Sequence, residues 1–290
     1  MTQPHTSSTR LRSLTQYLGF GLLTAITLAT VIPILLVVGY ILAKGAPAIS
    51  LEFLLGFPRQ GMRAGGILPA IVGTFYLTLG TALFSVPLGI GAAIYLSEYA
   101  SENRWTRLIR IAIINLAGIP SVVYGLFGLG LFVLFLNFGT SLLAGSLTLS
   151  IMTLPVIIST AEEALRAVPQ SFRVVSISLG ATRWQTIRRV VLPQALPGVL
   201  TGVILGLERA AGETAPILFT VAAFFLPRLP HSPLDASMAL PYHLFVISTQ
   251  VPGMPIQIQY GTALVLLIFV LGMNTLATVI RSRARARRQW

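Results

Sequence analysis

Cysteine is absent from the 290 residues, and lysine occurs once, at Lys44. The first absence excludes disulfides, thiol catalysis and cysteine-based metal sites. The second excludes a phosphate-binding P-loop, which needs a lysine after a glycine-rich turn, because Lys44 follows no such turn. Charge of any kind is scarce. Only 10% of residues are charged, against about 25% in a soluble globular domain. Acidic residues number eight, and the three histidines (His5, His231, His243) show no ligand spacing. What fills the chain is apolar: 54% of residues are hydrophobic and the mean hydropathy is +0.82. Such a chain has too little polar surface to cover a water-exposed globule, so it is expected in a bilayer.

The net charge of +12 does not point to nucleic acid, because no basic patch is interleaved with exposed aromatics on a soluble module. Fifteen of the twenty basic residues fall in four patches: Arg10 and Arg12, Arg104 to Arg110, Arg166 to Arg189, and Arg281 to Arg288. Alternate loops hold Lys44, Arg59, Arg63 and Arg228, and Arg209 lies in an apolar segment. Short cytoplasmic loops are rich in Lys and Arg, so the patches predict a cytoplasmic side holding both termini.

Runs of about 20 apolar residues mark membrane spans. The pattern predicts an all-α membrane protein with six, over about 18–43, 67–96, 111–136, 140–161, 196–225 and 259–280. Residues 1–15, rich in Ser and Thr, are expected to be a disordered cytoplasmic tail, and 281–290 a basic one that grips anionic lipid. The first span is expected to be retained, being longer than the apolar core of a signal peptide. Pro87 is the expected kink of the second span. No charge occurs from Ile111 to Ala161, and Asn137-Phe138-Gly139-Thr140 is the natural turn between the two spans there. A loop with six prolines, from Pro227 to Pro255, precedes the last span. Gly125, Gly128 and Gly130 lack the strand and helix of a dinucleotide site and read as helix packing.

Two segments carry function. In the cytoplasmic loop 162–195 a short helix after Pro169 is broken at Gly180. Thr182 and Gln185 then have capping-box spacing for a second helix that Pro193 should stop. This is either a structured loop or a rigid knob for a partner. In the fifth span lie Glu208, Arg209 and Glu213, and charge in a span is costly and a functional-site hypothesis by default. At 100° per residue, Gly198, Gly202, Gly206 and Ala210 form a small-residue stripe, and Arg209 and Glu213 project onto it. The pair is either a structural ion pair or an anion ligand, since a guanidinium fork can donate two hydrogen bonds to one oxyanion.

Ser178 to Pro193 resembles the EAA loop of ABC importer permeases, a glycine followed about a dozen residues later by Leu-Pro. The naming Glu-Ala-Ala is replaced by Val174-Val175-Ser176. Arg209 followed by Ala210-Ala211-Gly212-Glu213-Thr214-Ala215-Pro216 is similar to the signature of the PstA family of phosphate-transport permeases. Pro120-Ser121-Val122-Val123-Tyr124-Gly125, Thr153-Leu154-Pro155 and Glu162 to Pro169 are similar to that family too.

The resemblance implies a MetI-like, type I importer fold that carries inorganic phosphate by alternating access in the cytoplasmic membrane. It places Arg209, Glu213 and Thr214 on the substrate path, and Gly180, Ala181, Thr182, Arg183 and Trp184 at the contact with the ATPase. The implied partners are a homologous PstC-type permease, a PstB-type ATPase dimer holding ATP-Mg, and a PstS-type phosphate-binding protein. No cofactor is expected in the chain itself. Two other classes stay open: a permease for phosphonate, sulfate or molybdate, and an intramembrane enzyme built on Glu208, Glu213 or His243.

Overall fold

The structure, a computed structural model, describes residues 6–286, with side chains placed over 16–283. It is a bundle of helices with one two-stranded hairpin, Pro58–Arg59 against Ala64–Gly65. Among the described residues five helices are long and apolar enough to cross a membrane, or six where one bent pair is counted as a single span.

The first helix, α1, runs Thr6–Gly45 and packs along the last, α12, Ile256–Ala286. Helix is therefore already present at Thr6, where a disordered tail was expected over 1–15, and continues through much of the expected basic tail 281–290. The remainder of both tails lies outside the described residues. Tyr40 of α1 meets Tyr260 of α12 edge-on. Most of α1 from Gln16 onward is exposed, to surroundings that a membrane makes apolar, while Gly45 at its end is buried against Tyr260. A short helix, α2 (Leu51–Leu55), is capped by the Ser50 hydroxyl and precedes the hairpin.

The core is built by α3 (Leu68–Ile94), α6 (Leu142–Arg166) and α9 (Leu192–Gly212). Their closeness follows from small residues. A Cβ at Gly89 would lie 2.6 Å from Ile157, one at Gly202 2.7 Å from Thr160, and one at Gly206 3.0 Å from Ile157. The stripe expected on the fifth span thus faces α6. Hydroxyls in α6 serve packing: Ser150 donates to Ser146 O and, across the interface, to Thr81 O. Pro87 lies inside an unbroken α3.

Two expected spans are broken. The third, 111–136, is α4 (Arg104–Ala117) followed by α5 (Ser121–Gly128) and a widened π turn (Leu129–Phe135), bent by 102°. Pro120 has no N–H and forces the residue before it out of helical geometry, so the chain turns at Gly118-Ile119-Pro120. The freed Leu116 carbonyl accepts the Tyr124 hydroxyl at 2.7 Å. Gly125 and Gly128 give α5 close contact with Ala215, Phe219 and Thr148, as packing glycines should, whereas Gly130 faces open space. The turn at Asn137 and Gly139 is present, both with positive φ.

The fifth span, expected over 196–225, ends at Gly212. Glu213 is extended, and a short helix, α10 (Ala215–Thr220), starts with Pro216 in its first turn, where a missing N–H costs nothing. The proline-rich segment is no open loop, since it contains α11 (Leu240–Thr249). This helix is tied to α3 by Leu240 N–H donating to Thr74 Oγ1 at 2.8 Å. His243, expected in an outer loop, is buried there at 2% exposure, and its Nδ1 has no partner among the described residues.

Candidate functional site

Two places carry the chemistry anticipated from the sequence, and they lie at different levels of the bundle. At one end is a knob. Helix α7 (Gln170–Ser178) stops because Gly180 takes φ +86°, a left-handed conformation that glycine adopts without strain. Thr182 then opens α8 (Arg183–Thr186) with a full capping box, its hydroxyl accepting from Gln185 N–H and the Gln185 side chain accepting from Thr182 N–H. Pro193 does not stop this helix. A widened turn at Ile187–Val191 absorbs the proline, and the helix runs from Arg183 to Gly212.

The knob presents apolar surface. Leu179 is 83% exposed and Trp184 54%, and Val174 and Val175, which stand where the EAA motif has acidic and small residues, are also exposed. Gly180, Ala181, Thr182 and Trp184 cluster at its tip. Arg183, also exposed, reaches back with its guanidinium to the Glu98 carbonyl and lies over the Tyr99 ring at 5.1 Å.

Behind the knob is an ionic network that the sequence left as scattered charges. Arg110 binds Glu162 at 2.8 Å and Glu102 at 3.2 Å, and Arg166 binds the same two carboxylates. The guanidinium groups beside Glu102 hold its carboxyl below the usual range. Arg173 binds Glu98 at 2.6 Å. Glu98 is legible in hindsight as the charge that closes the apolar run of α3.

Inside the bundle, Arg209 sits on the last turn of α9, where a cation complements the free carbonyls of a helix end. Its Nε donates to Glu213 Oε1 at 3.3 Å, and the side chains are 35% and 17% exposed. Glu213 borders a small cavity with Leu77 and Thr78 of α3 and Leu149 of α6. Leu77 is nine residues, about 14 Å of helix, from the start of α3, so the break lies about a third of the way along α3. Thr214 is the N-cap of α10 but makes no side-chain cap bond. Glu208 takes no part in this pair, and its Oε1 has no partner among the described residues. Glu208, Glu213 and His243 form no acid–base cluster, and among the described residues no three His, Asp or Glu side chains come together to hold a metal.

A break with a charged pair inside a span, above an exposed helical knob, is the build of a transport subunit. The family model described as "Binding-protein-dependent transport system inner membrane component" matches residues 85–288. The chain belongs to that family. It is accordingly a multi-pass inner-membrane permease of ABC importers, a family in which separate ATPase subunits hydrolyse ATP and a binding protein delivers substrate.

Among curated proteins it is 33% identical to a probable ABC transporter permease, YqgI, of Bacillus subtilis, over 92% of this chain and 95% of that one. It is 37% identical to the phosphate transport system permease protein PstA 1 of Mycobacterium tuberculosis, over 78% of this chain and 73% of that one. The fold matches a bacterial ABC transporter involved in import of the acidic polysaccharide alginate, with TM-score 0.64, 17% identity, and coverage of 93% and 99%. The expected type I permease fold is therefore present.

Proposed function

We propose that this permease carries inorganic phosphate inward, together with a homologous PstC-type permease, a PstB-type ATPase dimer and a PstS-type binding protein. The observation that carries the reading is the Arg209–Glu213 pair at the break of the fifth span. A guanidinium keeps its charge at any working pH and can offer two parallel donors to a tetrahedral oxyanion. Glu213, already within bonding distance, neutralises the guanidinium when no anion is present and competes with the anion when one arrives. That competition keeps binding weak enough for release. PstA-type relatives support phosphate as the cargo.

The knob between Gly180 and Trp184 docks on the ATPase from the cytoplasmic side, and closure of the ATPase dimer shifts the equilibrium between outward and inward access. The test is labelled phosphate uptake by membrane vesicles carrying the complete complex. Arsenate should compete and sulfate should not. Inhibition by sulfate with none by arsenate would transfer the assignment to a sulfate-like oxyanion.

A further inference from the structure

The end of α3 nearest the knob is held in an unusual way. The residues directly after it, Tyr95–Tyr99, form a widened π turn. Three arginines from three different elements meet that turn. Arg110 of α4 donates from Nη2 to Leu96 O at 3.0 Å. Arg183 of α8 donates to Glu98 O and covers the Tyr99 ring. Arg173 of α7 donates from Nη2 and Nε to the two Glu98 carboxylate oxygens, at 2.6 and 3.2 Å.

Arg173 is also committed on its other side. It donates to Leu165 O at 2.9 Å and to Val168 O at 2.7 Å, carbonyls at and just beyond the end of α6. The Glu98 and Arg173 side chains are only 7% and 12% exposed. A buried ion pair is a poor investment in stability compared with apolar packing, and breaking it from one side leaves an uncompensated charge. A surface-like loop would not need it. A joint that must transmit force without slipping would.

The chain joins the knob to α6 through Val168-Pro169 and to α9 through the π turn at Ile187–Val191. No covalent link joins it to α3, yet α3 carries Leu77 and Thr78 to the cavity beside Glu213. We propose that Glu98, with Arg173 and Arg183, is a coupling clamp that makes the knob and α3 move as one body. Displacement of the knob then reaches the Arg209–Glu213 break through α3 as well as through α9. Glu98 is a positioning residue for transport, since it touches neither the anion nor the ATPase. The inference rests on the knob being the ATPase dock.

The test uses the complete complex in proteoliposomes, with phosphate taken up and ATP hydrolysed measured together. Glu98→Gln should leave assembly and hydrolysis near normal and lower phosphate carried per ATP by about tenfold, within the ordinary range of coupling free energies. Arg173→Lys should fall between this and the natural protein. An unchanged ratio, or uptake and hydrolysis falling in parallel, would overturn the clamp. A second measurement exploits the absence of cysteine. Glu98→Cys with Arg173→Cys, joined by a short thiol-reactive cross-linker, should leave binding-protein-stimulated hydrolysis at the uncross-linked level. A cross-link that stops hydrolysis would mean that the two parts must slide, and would sink the proposal. Hydrolysis is read without regard to the anion, so a complex that hydrolyses ATP but carries no phosphate counts against the substrate assignment and leaves the clamp to the cross-link result.

Discussion

Arg209 and Glu213 form an ion pair across the point where the fifth span stops being helical, with Nε and Oε1 3.3 Å apart. They are four positions apart, yet they are not a pair on a continuous helix. Arg209 is on the last turn and Glu213 is the extended residue after it. The pair therefore spans a joint, and changing its charge changes what the joint prefers.

Arg209→Gln should abolish phosphate uptake while the four kinds of subunit still co-purify. Glutamine keeps two donors and loses the charge, so the anion meets an uncompensated Glu213. Losing a charge-assisted hydrogen bond costs about 1.5–3 kcal/mol, enough to cut occupancy by one to two orders of magnitude. Normal uptake would refute a role on the path, and loss of assembly would favour a purely structural pair.

Trp184→Ala should leave the permease folded and release the ATPase. Trp184 is exposed on a helix fixed by the Thr182–Gln185 capping box, so truncation removes contact area without disturbing the permease core. Aromatic anchors of this sort are worth about 2 kcal/mol or more, roughly a thirtyfold loss of affinity. Co-purification of the ATPase at increasing detergent dilution measures it. Undiminished capture would show that the knob docks by another surface.

Gly202→Val should destabilise the bundle by about 1–3 kcal/mol, the usual range for overpacking. A Cβ there would stand 2.7 Å from the Thr160 Cβ, and α6 would have to move. Thermal unfolding of the purified complex should show a lowered midpoint, whereas Gly212→Ala, with open space at the added carbon, should not.

The number of spans, the knob and the stripe on the fifth span were legible in the sequence because each rests on a local rule. Apolar length marks a span, Thr182-x-x-Gln185 marks a cap, and glycines four apart mark a close contact. The breaks were less legible. Pro120 and Pro216 sit in apolar runs that hydropathy reads as continuous, and a proline opens a new helix as readily as it ends one. Pro193 was misleading in the other direction, because a π turn accommodated it. Arg183 and Arg173 looked like members of a basic patch. Only the folded chain brings Glu98, 75 residues away from Arg173, to meet them. Pairings over that distance leave no periodic trace.

His243 gives the last expectation, a pH dependence with a definite sign. It lies in α11, a helix too short to cross a membrane, and burial pushes its imidazole down to about 4 from the ordinary 6.5. Folded His243 is therefore neutral at pH 5–7, while the unfolded chain binds a proton below 6.5. Stability rises with pH wherever the unfolded state holds more protons. The contribution is intact above pH 6.5 and is lost as pH falls toward 4. Each pH unit in that window costs about 1.4 kcal/mol, so moving from pH 6.5 to 5 should lower stability by about 2 kcal/mol. His243→Leu should flatten the dependence, since it removes the titrating group and the unpartnered Nδ1 together. Unfolding midpoints of the purified complex across this range measure it. The same slope in His243→Leu as in the natural protein would assign the effect to another group.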